Sequence, residues 1–279
     1  MSGRRRLDVE LVRRGLVTSR EQAQAAVAAG EVLVGGAVAE KASRLVHPAD
    51  PVTLAGPPPR FVSRGGRKLD AALDRFAIDV EGRRALDAGA STGGFTDCLL
   101  QRGAASVVAI DVGRGQLHER LAADPRVDSR ERTNLRHVTV DQVGGSPFEV
   151  IVADLSFISL RTVAPVLVKR LSAPGTEIVV LIKPQFEAGR QAASVGRGVI
   201  RDPAVWSDTL RRAIGALNDQ GAAMMGLMVS PVTGADGNVE FLAHFQPHVK
   251  NPSDRREEAD DLVEAVVATA AAAHGMGHR

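Results

Sequence analysis

The run Leu86-Asp87-Ala88-Gly89-Ala90-Ser91-Thr92-Gly93-Gly94-Phe95 places glycines at 89, 93 and 94 directly after an apolar segment. Glycine tolerates conformations closed to other residues and lets a backbone wrap closely around a ligand. Apolar Val107-Val108-Ala109-Ile110 then leads to Asp111, 22 residues beyond Gly89. At that separation the next strand of a nucleotide-binding sheet ends, and a carboxylate can grip ribose hydroxyls. The pairing marks an adenosine-containing cofactor, with Asp87, Gly89, Ser91, Gly93, Gly94, Phe95, Asp111, Val112 and Asp154 as candidate contacts and Asn134, after Arg132-Thr133, as a further one toward adenine. The bland alternative is an ordinary strand-to-helix turn.

Two cofactor classes compete for this loop. Dinucleotide loops follow G-x-G-x-x-G so that a helix N-terminus can approach pyrophosphate, whereas Ser91 stands where the second glycine belongs. Asp87, immediately before the loop, would repel pyrophosphate but suit the ammonium group of a sulfonium ligand. No Gly-Lys-Ser or Gly-Lys-Thr follows, which excludes a P-loop. The details favour S-adenosylmethionine; an NAD-linked oxidoreductase is the more distant alternative, and no residue cluster has metal-ligand spacing.

The elements needed to position these residues are legible. Ala85-Leu86, Val107 to Ile110, Val150 to Ala153 and Ile178 to Ile182 alternate with helical segments, predicting an α/β fold with a parallel sheet covered on both faces. Ligands bind beyond the carboxyl ends of such strands, and the polar residues at four tips are Asp87, Asp111, Asp154 and Lys183. Leu69, Ala72, Leu73 and Phe76 follow a helical period after a capping Ser63, placing Arg64, Arg67 and Lys68 in a basic first turn that hints at an anionic ligand. Asp202-Pro203 opens a helix that runs to about Gln220 and stops at Gly221. Strands at 226–229 and 239–243 predict a closing antiparallel hairpin, and 255–273 a surface helix with a frayed end beyond it.

At 279 residues and 44% hydrophobic content, the chain can bury one large core and one small one. No apolar run approaches a membrane span and the start is charged, so a soluble cytoplasmic protein is expected. One cysteine, Cys98, excludes an internal disulfide, and seven scattered histidines show no ligand spacing. The net charge of +2 is uneven: residues 1–60 hold nine Arg or Lys against six acids, leaving the remainder at −1. Arg4, Arg5, Arg6, Arg13, Arg14 and Arg20 cluster at the start, as suits a polyanion.

Leu7, Leu11 and Val12 give a helical stripe; Thr18 with Glu21 predicts a capping box; Gly35-Gly36 predicts a hairpin turn, with Val52 to Leu54 as a further strand. The segment Arg6 to Ala23, R-L-D-x-x-L-V-R-R-G-L-x-x-S-R-E-Q-A, continuing into A-G-E-V-L-V-G-G, resembles the αL RNA-binding domain of a small-subunit ribosomal protein and of pseudouridine synthases. The resemblance implies RNA docking over residues 1–55, with Arg4, Arg6, Arg14 and Arg20 on phosphates, and the basic first turn of the later helix adds Arg64 and Arg67 as RNA contacts. A proline-rich linker, 56–62, separates it from a core over 63–250, and 251–279 forms the tail.

Asp87 to Phe95, Asp-Leu-Ser-Phe at 154–157, Lys-Pro-Gln-Phe-Glu at 183–187 and Gly-Asn-Val-Glu-Phe at 237–241 resemble FtsJ-type ribose methyltransferases. With the N-terminal module, the chain to about residue 246 is similar to the hemolysin A or TlyA family of ribosomal RNA (cytidine-2'-O)-methyltransferases. This implies a Rossmann-like methyltransferase acting on cytidine ribose of both subunits, with ribosomal RNA or subunits as partners, no membrane, and a monomeric state. It also implies a catalytic tetrad of Lys68, Asp154, Lys183 and Glu240. A ribose 2'-hydroxyl needs a base, and Lys183 can serve once the neighbouring cation Lys68 favours its neutral form; Asp154 orients it while Glu240 holds Lys68 or the ribose. Against this stands a purely structural ion-pair network, and an RNA-binding assembly factor with a non-catalytic methyltransferase fold is the alternative function. Gly196-Arg197-Gly198 is a candidate cationic hinge. No amphipathic stretch is long enough for the pore that a hemolysin name suggests.

Overall fold

The computed structural model describes residues 3–55, 59–156, 158–188, 198–234, 236–249 and 256–275. Gly56-Pro57-Pro58 of the linker, Phe157, Gly196-Arg197 of the candidate hinge, and residues 276–279 lie outside them. The chain divides into two compact units, 1–63 and 64–279.

In the first unit α1 (Leu7–Arg13) and α2 (Arg20–Ala28) pack on two small sheets. These are β1 (Arg5–Arg6) with β4 (Leu45–Val46), and β3 (Ala37–Val38)–β2 (Val32–Val34)–β5 (Val52–Leu54). Leu7, Leu11, Val27, Val32 and Val46 close the core. Gly35 and Gly36 both take positive φ, +62° and +82°, which a two-residue turn between antiparallel strands requires. The helix cap is one residue later than the sequence predicts. Ser19 Oγ accepts from the Gln22 amide at 3.1 Å, while Thr18 donates its amide and hydroxyl to the Gln22 side chain. A Ser-x-x-Gln spacing serves the capping box as well as Thr-x-x-Glu.

The second unit begins with α3 (Arg64–Phe76), followed by β6 (Arg84–Ala88), α4 (Gly94–Gln101), β7 (Ser106–Ile110), α5 (Glu119–Ala122), β8 (Val127–Arg130) and β9 (Phe148–Ala153). Then come α6 (Leu160–Pro165), β10 (Ser172–Ile182), α7 (Pro184–Glu187), α8 (Pro203–Asn218), β11 (Ala222–Val229), β12 (Phe241–Pro247) and α9 (Arg256–Ala273). The seven strands lie in the order β11-β12-β10-β9-β6-β7-β8. The apolar runs become the fully buried central strands β6, β7, β9 and β10, which pair in parallel. Sequence patterning gives no sign of β8, because Val-Asp-Ser-Arg is short, polar and lies at the sheet edge. Asp202 caps α8 by accepting from the Ala204 amide at 2.9 Å, and Gly221 beyond its end takes φ +96°. Buried Ala259, Val263, Val267 and Ala270 seat one face of α9 on the same core.

One topological detail positions the site. β12 is antiparallel to both neighbours, with Phe241 opposite Ile182 of β10. A residue entering β12 therefore stands at the edge where residues leave β9 and β10. Glu240 falls just before β12, not within the strand predicted at 239–243.

Candidate active site

Beyond β6 the chain turns at Gly89, φ +88°, whose amide donates to the Ile110 carbonyl at 2.8 Å. A Cβ there would collide with the Asp154 carbonyl oxygen, so glycine is what lets the loops after β6 and β9 touch. Ser91 holds φ +47°, a left-handed conformation that is uncommon outside glycine. Its amide donates to Asp111 Oδ2 at 2.8 Å, and the Gly113 amide donates to Oδ1 at 2.6 Å. Asp111 thus ties together the loops after β6 and β7. Gly93 caps α4 at φ +95°, where a Cβ would strike Leu117 and Leu121.

These loops enclose a cleft of about 320 Å³, within the size range of small-molecule sites. Gly89, Ser91, Asp111, Val112, Asn134 and Asp154 line it as the sequence suggested. Gln116 and Ile158 line it too, without any motif to announce them, as do Thr133 and Leu155, which lie in the quoted segments but not at the positions the sequence singles out. Val112 is 71% exposed, an apolar surface at the cleft with little of the chain covering it. Asn134 also accepts from the Arg136 amide at 3.1 Å, capping the short 3-10 turn that follows. Phe95 does not reach the cleft; it is 3% exposed inside α4, where an aromatic packs instead of lining a wall, and Gly94 is buried beside it.

Asp87 lies beneath the loop with no exposed surface. Its Oδ2 accepts from the Thr96 amide and hydroxyl at 2.8 and 2.7 Å, while Oδ1 is buried without a partner among the described residues. Burial pushes this carboxyl up to about 7, opposed by Thr96 and reinforced by the charges of Asp154 and Asp111. Burial disfavours the charged form of such a group, and an opposite charge beside it would favour that form.

Two ion pairs stand at the strand edge. Lys183, just past β10, pairs with Asp154, just past β9, and lies 3.3 Å from Ser156 Oγ. Lys68, on α3, donates to Glu240 Oε2 at 2.5 Å, both side chains being less than a tenth exposed. The Gln185 amide donates to Glu240 Oε1 at 3.5 Å, extending the second pair toward the segment that carries Lys183. Asp154 is thus in place to orient Lys183 as the sequence predicts, whereas Lys68, predicted as its other neighbour, is paired to Glu240 instead. Each lysine takes its own carboxylate because β9 and β10 end side by side while α3 faces the entry of β12. Lys68 likewise turns inward to an acid, while Arg67 stays exposed.

The N-terminal arginines are built differently. Asp8 and Glu10 are fully buried on α1. Arg6 grips Asp8 with two hydrogen bonds of 3.0 and 2.9 Å, and Arg20 adds a third at 3.0 Å. Arg13 and Arg14 converge on Glu10. The hydrogen bonds from Arg6 hold Asp8 well below the usual carboxylate range, and those from Arg13 bring Glu10 down to about 2. Arg4 is exposed, and Arg6 and Arg20 remain about half exposed. Arg14 departs from the expected phosphate role, because its guanidinium also donates to the Asp50 and Pro48 carbonyls and so straps α1 to the later loop. Arg13, which sequence reasoning did not single out from the basic cluster, is the more exposed of that pair.

Among the described residues, no helix is long and apolar enough to cross a membrane, and no group of His, Cys, Asp or Glu has the proximity to hold a metal. An FtsJ-like methyltransferase model matches residues 61–246 and an S4 domain model residues 5–52. The chain is 46% identical to the 16S/23S rRNA (cytidine-2'-O)-methyltransferase TlyA of Mycobacterium tuberculosis, over 95% of this chain and 97% of that one. It is 42% identical to Hemolysin A of Brachyspira hyodysenteriae, over 86% and 99%. A solved Streptococcus thermophilus structure described as a hemolysin superposes with a TM-score of 0.73 at 36% identity, covering 95% of this chain and 96% of that one. A methyltransferase model over two thirds of the sequence, near-full-length relatives and a matching sheet and cleft agree: the chain belongs to the FtsJ-like methyltransferase family and carries an S4 domain at its amino end.

Proposed function

We propose that this chain methylates the 2'-hydroxyl of cytidine in ribosomal RNA of both subunits, using S-adenosylmethionine. One observation carries the reading. Asp154 is at once a wall of the cofactor cleft and the partner of Lys183, so the candidate base stands beside the place where a methyl donor would lie. The residues fit that donor. Asp87 offers a buried, unpartnered oxygen to an ammonium group, Asp111 a carboxylate to ribose hydroxyls, and Val112 an apolar face to adenine. Bound there, S-adenosylmethionine supplies an electrophilic methyl group on sulfonium.

The remaining chemistry belongs to the chain. Lys183 takes the 2'-hydroxyl proton as the ribose oxygen attacks, and Asp154 orients its amine and stabilises the ammonium so formed. Such general-base assistance is worth about 100- to 10,000-fold. Glu240 holds Lys68, with Gln185 beside it, where the pair steadies the ribose. The intact set of four favours turnover over a non-catalytic assembly role. Arg4, Arg6, Arg20, Arg64 and Arg67 position RNA through phosphates, which fixes register without reading sequence. In this division residues 1–55 dock RNA, 56–62 link, 63–250 catalyse and 251–279 append a helix. Every named group comes from one chain, which suits a monomer, and a ribosomal substrate suits the cytoplasm. Support for both subunits rests on the Mycobacterium tuberculosis relative's name.

The test is to incubate separated ribosomal subunits with the protein and S-adenosylmethionine, then map 2'-O-methyl groups. New methylated cytidines in both subunits are expected. Cofactor binding without any new methyl group would overturn the catalytic reading, and methylation of one subunit alone would correct the substrate range.

A further inference from the structure

The helix that presents Lys68 is attached to the sheet at two points. One is the Lys68–Glu240 pair; the other lies at the far end of α3, where Phe76 stacks on His244 of β12 with ring centroids 5.4 Å apart and planes at 27°. Eight residues of helix separate Lys68 from Phe76, about 12 Å of rise. Four positions separate Glu240, just before β12, from His244 within it, about 13 Å of extended chain. The two spans match, so the seating of Phe76 fixes how far along β12 the helix carries Lys68.

The sheet is shaped around that seat. Gly226 of β11 is the register partner of His244, and a Cβ on it would come within 2.8 Å of two Phe76 ring atoms. Its φ is not positive, so the space, not the backbone, demands glycine. The β11–β12 register shifts between Met224 and Gly226, a bulge at the same place. Glycine and a bulge weaken a strand interior, and together they mark a close approach. His244 is itself fixed: its Nε2 lies 2.5 Å from Glu177 Oε2 on β10, and Gln246 donates to Glu177 Oε1 at 3.1 Å. The hydrogen bond from His244 leads the causes that hold the Glu177 carboxyl below its ordinary range. An apolar residue at 244 would pack against Phe76, but only a side chain hydrogen-bonded to Glu177 is held in a single orientation beneath the ring.

We infer that Phe76, seated over Gly226 and stacked on a His244 held by Glu177, is a positioning anchor that sets the axial register of α3 and thereby the meeting of Lys68 with Glu240. The inference rests on the reading that this pair takes part in methyl transfer. None of the four residues touches the cleft; they act through the helix.

The test uses the full chain, saturating S-adenosylmethionine and unmethylated ribosomal subunits, with single-turnover rate, cofactor affinity and RNA affinity read separately. Phe76→Leu and Gly226→Ala are each expected to lower the rate about tenfold with both affinities unchanged, and His244→Phe, which keeps a stacking ring, to lose less than His244→Leu. The deciding measurement is Phe76→Leu in a Glu240→Gln background. An anchor acting through the pair adds nothing there, whereas a general packing defect costs the same tenfold again. Equal losses in the two backgrounds, or full rate in both Phe76→Leu and Gly226→Ala, would overturn the anchor. Full rate in Glu240→Gln alone would instead bring down the reading of the pair, leaving the anchor nothing to position. Should Phe76→Leu fail to fold, Gly226→Ala enters the same cycle.

Discussion

Asp8 and Asp87 are both fully buried carboxylates, yet their chemistry is opposite. Asp8 meets the guanidinium groups of Arg6 and Arg20 and is held well below the ordinary range; among the described residues Asp87 meets only the amide and hydroxyl of Thr96 and rises to about 7. The N-terminal unit satisfies its buried charge internally and turns half-exposed arginines outward. In the methyltransferase unit, Asp87 Oδ1 has no hydrogen-bond partner among the described residues. The same contrast holds for its ion pairs, since Lys68 and Glu240 are both enclosed whereas Arg6 and Arg20 are not. Buried Asp8 holds two half-exposed arginines, whereas the enclosed Glu240 holds an equally enclosed lysine.

The sharpest way to break that contrast is at Lys183. If its pair with Asp154 is functional, Lys183→Ala lowers the single-turnover methylation rate by about 100- to 10,000-fold, the range for losing a general base. Affinities for S-adenosylmethionine and RNA should change little, because a base acts on the transition state. A near wild-type rate would reduce the pair to a structural tie between β9 and β10. Lys68→Met tests enclosure more directly. Removing one partner of a buried pair strands the other charge and costs about 3–5 kcal/mol. Denaturant titration of Lys68→Met should show a loss of that size, and of Arg20→Ala a loss of about 0–1 kcal/mol, as for an exposed pair.

Much of this is legible in the sequence where one local cause decides. Continuous apolar runs announce β6, β7, β9 and β10, Asp202-Pro203 announces α8, and the glycines at 89 and 93 announce backbone turns that the structure realises at positive φ. Where several long-range causes compete, sequence says less. Nothing local tells that β12 runs between β10 and β11, so the partners Asp154 of Lys183 and Glu240 of Lys68 can be named while the two pairs' separation, which keeps Lys68 from contact with Lys183, cannot. Phe95 sits in the motif but its ring goes to the core, because α4 turns that face inward. Arg14 looks like its neighbours until the loop at 47–50 supplies carbonyls for it. Gln116 and Ile158 carry no motif, and the cleft acquires them only when the loops around it come together.

The two buried carboxylates should answer pH with opposite signs. Asp87 holds a proton in the fold that the unfolded chain has released between about pH 4 and 7, so stability falls as pH rises through that window. Glu10, brought down to about 2, contributes stability above the ordinary glutamate range that is lost as pH falls toward 2. Asp87→Asn should therefore stabilise the cofactor-free protein at pH 8 by a few kcal/mol, a tenfold change in proton affinity being worth about 1.4 kcal/mol. If an ammonium completes Asp87, cofactor binding below pH 7 must displace that proton. Affinity then weakens toward about tenfold per pH unit of acidification, and Asp87→Asn binds more weakly at pH 8 with a flat profile. Calorimetry from pH 5.5 to 8.5 in buffers of differing ionisation heat reads the proton release, and a pH-independent wild-type affinity would detach Asp87 from the cofactor.

The smallest effects belong to the outward arginines, and there the measurement is a slope rather than an affinity. Each phosphate neutralised on duplex RNA or DNA releases counterions and contributes close to −1 to the dependence of log affinity on log salt, nearer −0.7 on single strands. Arg20→Ala removes one half-exposed cation while Arg6 keeps Asp8 paired, so folding should barely change and the slope should flatten by about one. Arg14→Ala makes the control: its guanidinium is tied to Glu10 and to loop carbonyls, so stability should fall while the slope stays. Binding to ribosomal RNA measured between 50 and 300 mM salt separates the two. An Arg14→Ala slope change as large as that of Arg20→Ala would erase the distinction between strut and phosphate contact, and with it the claim that buried Asp8 and Glu10 divide these arginines between RNA and fold.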